Sequence, residues 1–189
     1  MIGETINAPY AEKFTVSNVF SSDMVVQRGE HIRVWGFADA SENGHKVSGE
    51  FMGMFAEARI ENGAWTLTFG ARLNACAEQG NSMRIYTDKT AFVFENVLVG
   101  DVFMVIGQSN VAYSMAAHRA AVPEAERGGV GYDVPSTPIR LHYNSLMQET
   151  GVTRGTEEVC AELRNRETWK RADAAAVQDF SALCYLFAA

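Results

Sequence analysis

The sequence predicts two unlike halves: an antiparallel, jelly-roll-like β-sandwich over residues 1–98, then an α/β segment over 99–189. Three observations carry this. Short apolar-alternating runs recur every 8 to 12 residues up to about Val99. An Asn-Gly pair joins two of those runs. After Gly100 the texture changes to a continuous apolar run followed by helical periodicity.

The first half begins its strands near Phe14. "HIRVWGFA" (31–38) alternates, with Ile32, Val34 and Phe37 assigned to the inner side. "FAEARIENGAWTLTF" (55–69) reads as two runs turning at Glu61-Asn62-Gly63, because Asn and Gly both accept positive φ. "SMRIYTD" and "AFVFENVLV" follow, separated by an Asp88-Lys89-Thr90 turn. Trp35 and Trp65 are expected in the core, although the face of Trp35 is not fixed by the pattern.

In the second half, "DVFMVIGQ" (101–108) reads as a strand buried on both faces of a parallel sheet. "NVAYSMAAHRAA" reads as one helix with Val111, Met115 and Tyr113 inward. "IRLHYNS" (139–145) is a further strand. "AAAVQDFSALCYLFAA" (174–189) is a second helix with Val177, Phe180, Ala182, Leu183, Leu186 and Phe187 on its apolar stripe. The polar stretch 144–172 reads as a surface excursion.

Composition narrows the function classes. The chain has 189 residues, 47% hydrophobic and 21% charged, with a net charge of −7. That balance argues against a nucleic-acid partner, and no Lys/Arg-rich run appears. No apolar stretch reaches the roughly 18 to 20 residues of a membrane helix. The N-terminus lacks a basic-then-apolar signal sequence, which tilts the expectation toward the cytoplasm. Cys76, Cys160 and Cys184 are scattered, with neither disulfide nor zinc spacing, so they are read as free thiols and no metal or cofactor is expected.

The chemistry-bearing stretch is "GDVFMVIGQSN". A strand ending in Gly-x-Ser and entering a helix puts a serine at the sheet edge where ligands collect. Gly107 allows the chain to turn and keeps a side chain away from Ser109. The free N–H groups of the first helical turn, that of Ser109 included, are aimed to stabilise an oxyanion. Gln108 and Asn110 are read as supports of the loop. The plainer alternative makes Ser109 the N-cap of the helix.

"FSSDMVVQRGEHIRVWGFAD" (20–39) with "NVLVGDVFMVIGQSN" (96–110) resembles the sialate O-acetylesterase family of carbohydrate esterases, within the SGNH or GDSL-like hydrolases. The family pattern runs F-S-D-x-M-V-L-Q-R, I-x-V-W-G and G-E/D-V-W-x-x-x-G-Q-S-N-M. The likeness continues to Trp169 and to "QDFSALCYLFA". Phe103 stands where the family has tryptophan, and Val111 where it has methionine. The resemblance implies an SGNH-type second domain, with Ser109 as nucleophile and its backbone N–H as an oxyanion donor. It further implies metal-free removal of O-acetyl groups from sugars, with acetyl-xylan esterase as the close rival. The other-class alternative is a noncatalytic β-sandwich module used for sugar contact or domain packing.

A nucleophilic serine needs a base, normally a histidine oriented by a carboxylate. The family's D-x-x-H-like motif and its G-G-T and Q-G-E-x-N motifs are absent after Ser109. His31 and His45 fall in the sandwich half and are expected at the surface. His118 lies about 13 Å further along the helix from Ser109. His142 ends a strand assigned to the same sheet and is the one surrogate base. Asp101 is placed at the far end of the strand, and Asp133 and Asp179 are read as surface acids. The base and acid of the triad are therefore not found. The chain is expected to be the N-terminal part of such an esterase, with little or no activity alone. Its second half is expected to self-associate or to be disordered, because an incomplete sheet exposes an edge.

Overall fold

The computed structural model describes residues 5–6, 10–11, 13–127, 138–143 and 168–189. It is a β-rich chain that divides into two compact units. One holds the described residues up to Asp101 together with 168–169; the other holds those of Val102–Tyr143 and Lys170–Ala189.

The first unit is two facing sheets. Its strands are β1 (Thr5–Ile6), β2 (Tyr10–Ala11), β3 (Phe14–Val16), β4 (Val25–Gln27), β5 (His31–Ala38), β6 (Lys46–Phe51), β7 (Met54–Arg59), β8 (Ala64–Arg72), β9 (Cys76–Tyr86) and β10 (Ala91–Gly100). One sheet runs β1-β10-β9-β6-β7, with β4 also on β10; the other runs β2-β3-β5-β8. Most pairs are antiparallel, but β1 and β4 both run parallel to β10. The strict antiparallel expectation is corrected there: long connections let both segments return to β10 in its own direction.

The Asn62-Gly63 turn forms as expected, with φ of 52° and 74° at its two central residues. Glu61 and Ala64 bridge across it. The arms then part, β7 joining one sheet and β8 the other. The turn chemistry is local and does not decide which sheet each arm enters. A similar turn at Met52-Gly53, φ 48° and 74°, joins β6 to β7. The sequence reading overlooked β6, whose centre is Gly49. A Cβ on Gly49 would press on Leu67, Phe69 and Ile85 at 2.8 to 3.2 Å, so the glycine is a packing requirement.

Parity on β5 settles two side chains. Ile32, Val34 and Gly36 are buried, while Trp35 and Phe37 are each 41% exposed. Phe37 differs by an odd number from Ile32 and Val34, so a regular strand cannot turn all three inward. Trp35 also leaves the core expected for it and meets Phe20 edge-on at 4.6 Å. Trp65 is in the core, stacked on Phe14 at 5.1 Å, and donates from Nε1 to the Thr15 carbonyl at 3.2 Å. Phe51 against Phe69 and Phe14 against Phe92 join the two sheets across the interior. Trp169 is fixed to this unit, donating from its ring to the Val19 carbonyl at 2.7 Å.

A polar clasp closes one end of the sandwich. Buried Glu42, in a 3-10 turn over Ala40–Glu42, accepts from Lys89 Nζ at 2.9 and 3.1 Å. His45 Nδ1 lies 2.9 Å from the same carboxylate. His45 is thus half-buried beside Glu42, not at the open surface expected for it. The hydrogen bond from Lys89, then the one from His45, hold the Glu42 carboxyl below its ordinary 4.5, against the opposing effect of burial.

Two outcomes are expected. Gly36→Ala destabilises the sandwich by about 1–3 kcal/mol or more in chemical denaturation, because its Cβ would collide with the Thr15 carbonyl and lie 2.6 to 2.8 Å from the Trp65 ring. The lowered carboxyl of Glu42 adds stability above its ordinary range, and that part is lost as pH falls through the lowered value. The melting temperature of Glu42→Gln therefore lies below that of the native chain at pH 7, and the gap narrows on acidification below about pH 4.5.

Candidate functional site

The approach to Ser109 starts at the end of β10. Arg28 Nε donates to Asp101 Oδ1 at 2.8 Å, and that bond holds the Asp101 carboxyl below its usual range. A shallow recess lined by Gln27, Arg28, Leu73, Asn74 and Asp101 lies here, within the sandwich unit. Asp101 is thus engaged with Arg28.

Beyond it the expected buried strand does not form. Residues 101–107 belong to no strand, and Phe103 through Gly107 make no backbone hydrogen bond among the described residues. Phe103, Met104 and Ile106 are 65%, 84% and 80% exposed. The physical reason is the requirement for neighbours. A parallel-sheet strand is buried only when strands flank it and helices cover both faces, and no described strand pairs with this one.

Ser109 opens α1 (Ser109–Ala112). Gln108 occupies the cap position, at φ −97° and ψ −144°, with no side-chain cap bond. Ser109 is therefore the first helical residue and not the N-cap of the plainer reading. The N–H groups of Val111 and Ala112 both go to the Gln108 carbonyl, at 2.9 and 3.3 Å. The N–H groups of Ser109 and Asn110 and the Ser109 hydroxyl make no hydrogen bond among the described residues. The hydroxyl side chain is exposed. Gly107 is required by close approach, since a Cβ there would run into the Val111 side chain. Its φ is not positive, so the turn itself does not demand glycine.

The single helix expected from "NVAYSMAAHRAA" is two. α1 ends at Tyr113, and α2 (Met115–Ala121) begins after Ser114, whose Oγ accepts from the Ala117 N–H at 3.2 Å. Met115 is fully buried as expected, but Tyr113 is exposed and Val111 half-buried. The C-terminal stripe breaks in the same way. α3 (Ala174–Asp179) and α4 (Ala182–Ala188) meet at Phe180-Ser181, and the Ser181 Oγ accepts from the Cys184 N–H at 3.3 Å. The two breaks bond to each other: Met115 N–H to the Phe180 carbonyl and Ala182 N–H to the Tyr113 carbonyl, both 2.9 Å. Val177, Ala182 and Tyr185 are buried, while Leu183 and Phe187 face out, against expectation. Restarting the helix after Ser181 turns the later residues onto a new face.

"IRLHYNS" contributes a strand only at β11 (Arg140–Leu141), paired antiparallel to β12 (Lys170–Arg171). His142 follows it half-buried and makes no hydrogen bond to Ser109. The parallel register that would have carried it toward Ser109 is absent among the described strands. His118 is half-buried in the last turn of α2, its ring 6.2 Å from that of Tyr113. His31 is exposed, with Nδ1 3.3 Å from the Phe69 carbonyl. All four histidines are described, and none bonds Ser109. Asp179 is exposed at the end of α3. Asp133 and Cys160 lie outside the described residues, as does most of the 144–172 stretch. Cys76 and Cys184 are free thiols. Among the described residues no three His, Cys, Asp or Glu side chains gather to hold a metal ion, and no helix is long and apolar enough to cross a membrane.

The fold is similar to that of a carbohydrate acetylesterase from Xanthomonas citri, at a TM-score of 0.59 and 22% identity. The match covers 93% of this chain and 36% of that one. At that identity the likeness is one of fold. No family model matches the sequence, and no curated protein does.

The first turn of α1 should depend on the Gly107–Val111 approach. Gly107→Ala is expected to displace the first turn of α1 and speed amide exchange at Val111 and Ala112, with the β-sandwich amides unchanged. Exchange slowed or unchanged at those two amides would contradict this account.

Proposed function

We propose that the chain carries the nucleophile of a serine carbohydrate esterase, with Ser109 attacking O-acetyl groups on a sugar. In this reading residues 1–98 form the sandwich domain and 99–189 the opening part of an SGNH-type hydrolase domain. The observation that carries it is the start of α1: an exposed hydroxyl beside two N–H groups, none of them hydrogen-bonded among the described residues. Gly107 permits the close approach at its base. Attack by Ser109 Oγ on the acetyl carbonyl places negative charge on the carbonyl oxygen, where the Ser109 and Asn110 N–H groups can donate to it. The sugar hydroxyl leaves and the acetyl group remains on the serine until water releases it. The resemblance of "GDVFMVIGQSN" to the sialate O-acetylesterases and the acetylesterase fold neighbour both support this class. Sialate and xylan acetyl esters are the two substrate candidates.

The general base is a residue this arrangement does not bring to Ser109. Loss of the histidine costs on the order of a million-fold in serine hydrolases. The 189 residues alone are therefore expected to release acetate from acetylated sugars at close to the buffer rate.

A second reading rests on Trp35 and Phe37, which lie two apart on β5 and face outward. With Arg33 and Thr66 exposed beside them, they form an aromatic and polar surface of the kind on which sugar rings stack. That reading makes the sandwich a sugar-contact module.

Free imidazole separates the two, because it can stand in for a missing base. A fluorophosphonate probe is expected to label Ser109 in an imidazole-dependent manner, with labelling lost in Ser109→Ala. No labelling of Ser109 at any imidazole concentration would overturn the nucleophile assignment. Saccharide binding that is then lost in Trp35→Ala would favour the contact module.

A further inference from the structure

The tripeptide Glu-Asn-Gly occurs twice, at Glu42-Asn43-Gly44 and at Glu61-Asn62-Gly63. The sandwich brings the two together. The Asn43 side-chain oxygen accepts from the Gly63 N–H at 3.0 Å. The Gly44 N–H donates to the Ile60 carbonyl at 2.8 Å, and the Ile60 N–H donates to the His45 carbonyl at 3.0 Å. Asn62 sits in the left-handed region, φ 52°, inside the turn that Glu61 and Ala64 close with bonds of 2.8 and 3.0 Å.

An asparagine followed by glycine carries a latent reaction. The glycine nitrogen, with no neighbouring Cβ to hinder it, can attack the side-chain amide carbon of the asparagine before it. That nitrogen gives its proton to hydroxide or water as the new N–C bond closes a cyclic imide. The bond from the same carbon to the side-chain nitrogen breaks, and ammonia leaves. Water then opens the imide at either carbonyl, to give an aspartyl or an isoaspartyl residue. The bonds that close the turn belong to Glu61 and Ala64, and neither uses the Gly63 N–H. What occupies it is the Asn43 side chain, 20 positions away in sequence.

We propose that Asn62 is a latent deamidation site that Asn43 holds closed. For the Gly63 nitrogen to reach the Asn62 side-chain carbon, Asn62 must leave its turn conformation and Gly63 must release Asn43. The reaction then runs only from the released fraction, and its rate falls in proportion. A hydrogen bond of ordinary net strength sets a bias of roughly two- to ten-fold. The Asn43-Gly44 pair is restrained separately, because its glycine N–H is held in backbone pairing with Ile60. All these contacts lie inside the sandwich unit, and the proposal is independent of Ser109.

Peptide mapping that separates aspartyl and isoaspartyl products tests this, after incubation at mildly alkaline pH. It is run on the native chain folded and in guanidinium, and on folded Asn43→Ala and Asn43→Asp. Asn43 is exposed, so neither substitution opens a cavity, and aspartate keeps an oxygen acceptor for Gly63. Asn62 is expected to convert more slowly folded than unfolded. Asn43→Ala should speed its conversion by roughly two- to ten-fold, and Asn43→Asp should stay near the native rate. Amide exchange on the native chain needs no substitution and should show the Gly63 N–H protected. It decides the matter, with Asn43→Asp, even where Asn43→Ala loses its fold. Native conversion at the unfolded rate would overturn the proposal. So would a folded Asn43→Ala at the native rate, an Asn43→Asp as fast as Asn43→Ala, or an unprotected Gly63 amide.

Discussion

The second unit depends on two helix breaks that hydrogen-bond to each other. Ser114 and Ser181 each end one helical turn and cap the next, and the carbonyls freed at Tyr113 and Phe180 accept from Ala182 and Met115. A continuous helix would have used those carbonyls within itself, so the breaks leave them free to be satisfied across the pair. The exchange ties the segment after Ser109 to the C-terminal helices. Met115 and Tyr185, both fully buried, pack in the cluster these elements share. α1 leads directly into Tyr113, whose carbonyl is one end of that cross-link. The sandwich needs none of it, having its own core of aromatic and branched residues from both sheets.

The sandwich was largely legible because its signals are local. Asn62-Gly63 declares its turn through two positive φ values, and the alternation of β5 declares Ile32 and Val34. What escaped were features set by the opposing sheet. Gly49 looks like a strand breaker in the sequence, yet it is the residue that lets Leu67, Phe69 and Ile85 approach β6. Phe37 looks like core by hydrophobicity, but parity on β5 outweighs its composition.

The second unit was less legible for the opposite reason: its local signals were read at too long a range. Apolar periodicity merged α1 with α2 and α3 with α4, because the stripes nearly continue across Ser114 and Ser181. Serine in the middle of such a stripe competes for the backbone and favours a cap, which was the available signal. That a helix starts at the Gly-x-Ser stretch was legible, with the surroundings of Ser109 shifted. Gln108 takes the cap position, and Gly107 serves the approach of Val111 and not a positive φ. The expected partner base was not legible as a contact, since His142 follows a short antiparallel pair and not a strand parallel to the approach.

The continuous apolar run at 102–106 shows why composition and structure part company. Its residues carry the free-energy demand for burial, roughly 25 cal/mol for each Å² removed from water. Whether that demand is met depends on partners that composition does not encode. Here Val102 and Val105 are more than half covered and the Phe103 ring meets Phe187 of α4, while Met104 and Ile106 stay 84% and 80% exposed. The same residues lead directly into Gly107 and Ser109. Whatever covers Met104 and Ile106 will also restrict the backbone that aims the hydroxyl, because a paired strand fixes dihedrals that an unpaired one leaves free. Only Gly107 and Gln108 separate this run from Ser109, so pairing of the run would also restrict the backbone that enters the first turn of α1.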